Sequence, residues 1–291
     1  MSQFSFCLHH ITDENLPGFS MESYSKFKYG SHSVAEQFAN ALFDTFILDP
    51  TNDTLFDHQK IIIYSSPYDF LPTSSYYMTK CFFEKLKAYT SLNKYNCKVE
   101  FGKINRNQTY AEDYGALSAE ERFNLIKNDT YELPEKPSED AVLLFMDDIS
   151  ITGTHQKVIE LLLNREEIKN DVGYLYFAKL MNKDVNPNYE NVLNYAFVND
   201  LPSLMNVLHS KDFMLTTRCV KHLLCLPHKG FIQFLSLLNE DLKDLLLKEI
   251  YVGALRNKYD QMEAYEVNLT ELSRNLKGHE LSEIQKWWYI N

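Results

Sequence analysis

The stretch AVLLFMDDISITGTHQKVIELLLN, Ala141 to Asn164, narrows the fold more than any other part of the chain. Six apolar residues run into two adjacent acids, Asp147 and Asp148; a turn of small and hydroxyl residues, Ser150 to Thr154, follows, and then an amphipathic run. An unbroken apolar run stopped by turn chemistry is the pattern of a strand buried on both faces, and HQKVIELLLN carries apolar residues at helical spacing. Strand, tight turn and helix in so few residues form half of a crossover unit, which points to a parallel sheet.

The chain before and after this stretch repeats the alternation. SVAEQFANALFDTF (33–46) is predicted as a helix behind a capping Ser, KIIIY (60–64) as a buried strand, and YYMTKCFFEKLKAY (76–89) as a helix capped among Thr73, Ser74 and Ser75. CKVEFGKI (97–104) and GYLYFAKL (173–180) read as strands, NYAFV (194–198) as a short one, and a polar connection runs from Asn105 to about Asp140. The expectation is an α/β fold, a mostly parallel sheet flanked by helices. From about Pro202 the texture becomes leucine-rich and helix-periodic, so residues 1–200 are expected to form the α/β part and residues 201–291 an α-helical C-terminal extension, with a soft boundary.

Composition limits the function classes. The chain has 291 residues, 45% of them hydrophobic, enough for one large core and a helical appendage. A formal net charge of -11 with no Lys/Arg cluster argues against a nucleic-acid partner held through phosphates and favours an acidic enzyme of small molecules. Five scattered cysteines read as reduced thiols. The start MSQFSFCLHH has no basic and apolar leader pattern, and no apolar run reaches membrane-spanning length, so the expected setting is cytoplasmic, away from membranes. Cys219, His222, Cys225 and His228 step by three along a helix and wind around it, which does not suit one tetrahedral ion; His9 and His10 read as an exposed pair.

As chemistry, the 141–164 stretch puts carboxylates at the carboxyl edge of a parallel sheet, where ligands bind in open α/β folds. The turn leads into a helix whose first N–H groups and positive dipole end favour phosphate. Acids would repel a bare phosphate, so the expected ligand turns hydroxyls or a divalent cation toward the acids and carries its phosphate further along, as a ribose 5-phosphate does.

VLLFMDDISITGT resembles the phosphoribosyl-pyrophosphate (PRPP) binding motif of type I phosphoribosyltransferases, and the order of elements from about Ser23 to Val198 agrees with that family. The ITGTH turn is also similar to the phosphoribosyltransferase-like proteins that accompany tellurium-resistance-type gene clusters. The resemblance implies that Asp147 and Asp148 hold the ribose hydroxyls, directly or through water and Mg²⁺, and that Ser150, Thr152, Gly153, Thr154 and His155 surround the 5-phosphate. It implies that Ser66 and Tyr68, in the loop SSPYD, contact pyrophosphate. It also places Arg106 and Tyr110, in the slot of the family's closing loop (Arg106 to Arg122), against pyrophosphate, Lys26 and Lys28 within reach of the ligand from the hood, and Lys179 where some purine-specific relatives set a lysine against the base. By residue type alone these lysines read as surface charges, Ser66 as a turn hydroxyl, and Arg106 and Tyr110 as members of a polar connection. Two departures stand out: Ile151 occupies a position where some relatives carry an Asp that serves as base, and His155 replaces the usual Thr or Ser. The implied function is Mg²⁺-dependent transfer of phosphoribosyl from PRPP to an acceptor such as a nucleobase. The alternatives are a non-catalytic PRPP- or nucleotide-binding regulatory protein, which Ile151 favours, and the same fold run in reverse or as a hydrolase on a nucleotide-like substrate. The helical extension offers a homodimer interface, a substrate hood or a partner dock, and all three stay open.

Overall fold

In a computed structural model of the chain, which describes residues 2–13, 17–106, 131–182, 185–186, 188–238, 247, 249–250 and 263–275, the motif strand is the middle of a five-stranded sheet. The strands are β1 (Gln3–Ile11), β2 (Lys60–Tyr64), β3 (Lys98–Gly102), β6 (Ala141–Ser150) and β7 (Asp171–Leu180), in the order β1-β7-β6-β2-β3. Every neighbouring pair is parallel, as the strand–helix alternation predicts. Two short strands, β4 (Asn105–Arg106) and β5 (Tyr131–Glu132), pair antiparallel beside it.

Helices cover both faces because successive strand residues point to opposite sides. Ile61, Ile63, Leu144, Met146, Leu175 and Phe177 face α2 (His32–Leu48) and α3 (Ser74–Leu92), which return Phe38, Leu42, Phe46, Phe82 and Leu86. On the opposite face Ile62, Tyr64, Leu143, Phe145 and Tyr174 meet Val158, Ile159, Leu162 and Leu163 of α4 (Thr154–Arg165). Each such aliphatic side chain contributes about 1.5–3 kcal/mol by leaving water, which holds α4, and with it the motif turn, against the sheet.

A 3-10 helix spans Pro50–Asp57, and the further α-helices are α1 (Met21–Lys28), α5 (Tyr189–Asn194), α6 (Leu201–Leu208), α7 (Thr217–Leu224), α8 (His228–Leu237) and α9 (Glu263–Asn275). The C-terminal helices pack around Leu204, Leu208, Cys219, Leu223, Phe231 and Phe234, and this cluster takes in Tyr29 and Leu71 from the first part of the chain. Residues 210–217 stitch the two together. Met214 N–H donates to the Gly30 carbonyl (2.8 Å), Ser31 bridges Phe213, and the Thr217 hydroxyl donates to the Leu71 carbonyl (2.6 Å).

Two readings change. NYAFV is not a strand: α5 ends at Asn194, and the Ser25 hydroxyl donates to the Asn194 carbonyl (2.7 Å) while accepting from Val198 N–H (3.0 Å), so the backbone curls against α1 instead of entering a ladder. In addition, Gln3–Ile11, unassigned from sequence, is the edge strand β1. Phe4, Phe6 and Leu8 alternate with Gln3, Ser5 and Cys7 there, a period of two that marks a half-buried strand.

Candidate functional site

β6 carries the chain through both acids to Ser150, and Ile151 to Gly153 then make the bend into α4. Gly153 sits at φ +70°, left-handed backbone that glycine adopts without strain, and a Cβ there would meet nothing within 4 Å. The space over the turn is therefore open. No side chain caps α4, so its first N–H groups are not taken by a capping residue, unlike those of α1, α3 and α7, which Ser20, Thr73 and Thr216 cap. Ser150 and Thr154 are buried, and the Thr152 and Thr154 hydroxyls share a hydrogen bond (2.7 Å).

The two acids have separate surroundings. Asp147 lines a cleft with Ser66, Pro67, His155, Gln156 and Tyr176, between the loop after β2 and the start of α4. Ser66 Oγ donates to Asp147 Oδ1 (2.6 Å), Asp148 N–H donates to the same oxygen (2.9 Å), and His155 Nδ1 lies 3.5 Å from Asp147 Oδ2. Ser66 also bonds Ser75 of α3 (2.6 Å), and Ser75 bonds Thr73 (3.0 Å), so a row of hydroxyls anchors the cleft acid. Burial first, and the adjacent negative Asp148 second, push the Asp147 pKa well above the usual carboxylate range.

Asp148 is 4% exposed and turned to α1. Its Oδ2 accepts from Tyr24 OH and from Lys28 Nζ, each at 2.6 Å, and Lys28 has a second acid, Glu190 of α5, at 3.7 Å. Burial opposes ionisation of Asp148, but Lys28 together with the hydrogen bonds it accepts outweighs that and holds its pKa at about 2. Lys28 is likewise opposed by burial, and Asp148 and Glu190 raise its pKa despite that. Tyr24 and Lys28 stand one helical turn apart on α1, which is why both reach one carboxylate.

Of the sequence-derived residues, Asp147, His155 and Ser66 meet at the cleft, with Ser150, Thr152, Gly153 and Thr154 in the adjoining turn. The acid pair, expected to face the ligand together, divides: Asp147 lines the cleft and Asp148 is engaged by Lys28 and Tyr24, because adjacent strand residues point to opposite sheet faces. Tyr68 turns to the Tyr76 ring (5.2 Å between centroids) and the Lys103 ammonium (4.9 Å) instead of the cleft, and its backbone bridges Asn105. Arg106 is half-buried in β4 opposite Tyr131. Tyr110, and the expected closing loop from residue 107 onward, lie outside the described residues. Lys28 is buried and not a surface charge; Lys26 stands over the Phe197 ring (4.1 Å), and Lys179 pairs with Ser150 across the sheet. Sequence reasoning missed Tyr24, Ser75 and Glu190. The Tyr24/Lys28 spacing on one helix face was a usable signal, whereas Ser75 and Glu190 reach the site only through long-range packing.

Among the described residues no group of three or more His, Cys, Asp or Glu side chains is placed to hold a metal ion. Cys219 is a core residue, His222 Nδ1 lies 3.3 Å from Tyr29 OH, and His228 Nδ1 lies 3.0 Å from Asn268 Oδ1. Among those residues, too, no helix is long and apolar enough to cross a membrane.

A wholly parallel five-stranded sheet flanked by helices, with an acid at its carboxyl edge and an uncapped helix start beside it, is the α/β fold of type I phosphoribosyltransferase-like proteins. The chain belongs to the PRTase ComF-like family, whose model matches residues 3–272. No curated protein matches it.

Proposed function

We propose that the protein binds PRPP at the carboxyl edge of β6 and transfers its phosphoribosyl group to an acceptor, a nucleobase or a related compound. The observation that carries this reading is the open turn over Gly153, at the uncapped start of α4, next to the one motif acid that lines the cleft. The amides of the turn and of the first turn of α4 hold the 5-phosphate, with the helix dipole adding to their attraction. Asp147, fixed by Ser66, accepts from the ribose hydroxyls and sets the anomeric carbon against the acceptor.

A Mg²⁺ ion fits this donor set: one cleft carboxylate, with no larger cluster of His, Cys, Asp or Glu among the described residues, suits an ion that keeps its waters and binds mainly to substrate phosphates, and Asp147 in its ionised form, which a cation favours, is the residue that would hold it. Bound there with PRPP, the ion supplies neutralisation of the pyrophosphate charge. In the transfer itself the bond from the anomeric carbon to pyrophosphate breaks as the bond to the acceptor forms. The chain's part is positioning and exclusion of water.

Calorimetric titration with PRPP, with and without Mg²⁺, beside Asp147→Asn, tests the reading. Mg²⁺-dependent binding that the variant loses supports it; a folded wild-type protein that binds no PRPP removes it. A second reading, PRPP binding without transfer, is favoured by Ile151, whose side chain cannot act as a base, and by the engagement of Asp148. Pyrophosphate release across a panel of nucleobase acceptors separates the two, since a regulatory protein binds PRPP and releases none.

A further inference from the structure

Lys28 is a buried cation with two fixed attachments. Its ammonium bonds Asp148 Oδ2 at 2.6 Å, and its carbonyl accepts from the hydroxyl of Thr216 (3.1 Å), a fully buried residue that also caps α7. The next residues of the chain, Gly30 to Ser33, are pinned by the 212–214 segment: Asp212 accepts from the Ser33 N–H (2.7 Å) and Met214 N–H donates to Gly30. Lys28 therefore has its backbone fastened to the helical part and its charge fastened to the motif strand. A lysine placed there only for solubility would have its head in water, yet this one is 9% exposed.

Asp148 in turn follows Asp147 directly, and its N–H donates to Asp147 Oδ1 (2.9 Å). Whatever fixes the backbone at 148 also fixes the carboxylate that lines the cleft. We infer that Lys28 is a positioning residue for the proposed ribose site: through Asp148 it sets the end of β6 so that Asp147 faces the ligand, and it ties that setting to the C-terminal helices. This inference rests on the function proposed above. It assigns the helical part a share in the site through Lys28.

The alternative role for the same lysine is direct contact with a ligand phosphate. The two differ in a double-mutant cycle, because a residue acting through another adds nothing once that other is changed. Wild type, Lys28→Met, Asp148→Asn and the double variant are titrated calorimetrically with PRPP and Mg²⁺ well below each protein's melting temperature. In the positioning role, Lys28→Met weakens binding about tenfold in the wild-type background and less than about twofold in the Asp148→Asn background. Equal losses in both backgrounds assign Lys28 to the ligand and overturn the inference. Wild-type affinity in a folded Lys28→Met protein makes the lysine merely structural and overturns it as well. Should Lys28→Met not fold, with Asp148 left unpaired, the comparison of wild type, Asp148→Asn and the double variant, which buries no unpaired charge of this pair, still decides: weaker binding by Asp148→Asn than by wild type with no further loss in the double variant supports the inference, whereas a further loss, or wild-type affinity in Asp148→Asn, overturns it. A wild-type protein that binds no PRPP removes the proposed function itself, a result distinct from binding that ignores Lys28.

Discussion

The division of the two motif acids predicts opposite stability effects for the same substitution at adjacent positions. Asp148→Asn keeps the side-chain shape and the acceptor for Tyr24, so no cavity term arises; the change is the loss of the charge opposite buried Lys28, 2.6 Å away. Removing one member of a buried ion pair costs about 3–5 kcal/mol. Glu190, 3.7 Å from Lys28, keeps part of the attraction, which brings the expected cost to the bottom of that range or just under it, about 2–3 kcal/mol. For a chain of this size that lowers Tm by roughly 5–10 °C.

Asp147→Asn removes a charge that burial and Asp148 already disfavour, and the amide oxygen can still accept from Ser66. Its Tm is expected to equal or exceed that of the wild type, while Mg²⁺-dependent PRPP binding is lost. Differential scanning calorimetry on the two variants, with circular dichroism to establish that both fold, measures the difference. Equal destabilisation by both, or a neutral Asp148→Asn, would show that the acids share one environment and refute the division.

Acid titration gives a second check, with Asp148 isolated in an Asp147→Asn background. Its folded pKa, about 2 with Asp147 in place, lies below the usual 3.8, so its stabilisation is complete above that value and lost as pH falls from about 4 through about 2; the urea midpoint should fall over that window and fall less once Asp148→Asn is added, the remainder coming from carboxylates such as Asp212 and Asp171 whose pKa the fold also lowers. Asp147 titrates with the opposite sign, its raised folded pKa favouring the fold as pH drops through that pKa, which is why it is removed first. At the glycines, Gly153→Ala should cost only the left-handed backbone penalty, about 1–2 kcal/mol, since its Cβ meets nothing. Gly30→Ala, whose Cβ would run into the Met214 carbonyl oxygen, should cost about 3 kcal/mol or more by opening the seam to the helical part, and equal urea midpoints for the two variants would contradict this. Ser66→Ala removes the donor that aims Asp147 and the partner of Ser75, so PRPP affinity should fall about fivefold, read by the same titration, and Tm should fall by about 2–4 °C, read by scanning calorimetry.

Much of the α/β frame was legible because its signals are local. KIIIY is a strand over the residues expected, the helix after it is capped by Thr73, and the motif strand and helix stand where the apolar run and the helical spacing put them. β1 went unassigned although Phe4, Phe6 and Leu8 alternate, because two histidines and an edge position dilute its hydrophobicity. NYAFV misled because the same apolar aromatic residues serve a strand or a packed turn, and a hydroxyl from Ser25, 169 residues earlier than Asn194, chose the turn. At the site, the turn and Asp147 could be placed from the motif alone. The different surroundings of Asp148 could not, since they depend on Tyr24 and Lys28, more than a hundred residues away in the chain.

The pairing of β1 with β7 has a consequence for how the chain is made. β1, ending at Ile11, has its sheet partner in a strand that begins at Asp171, and among the described residues no other strand lies beside it in the sheet. At roughly 5–20 residues per second, the ribosome takes on the order of 8–30 s to bring out that partner. Over that interval Phe4, Phe6 and Leu8 have no sheet to bury them. The sheet closes at its N-terminal edge only after the motif strand has emerged, so the acids of β6 leave the ribosome before the sheet that will carry them is complete.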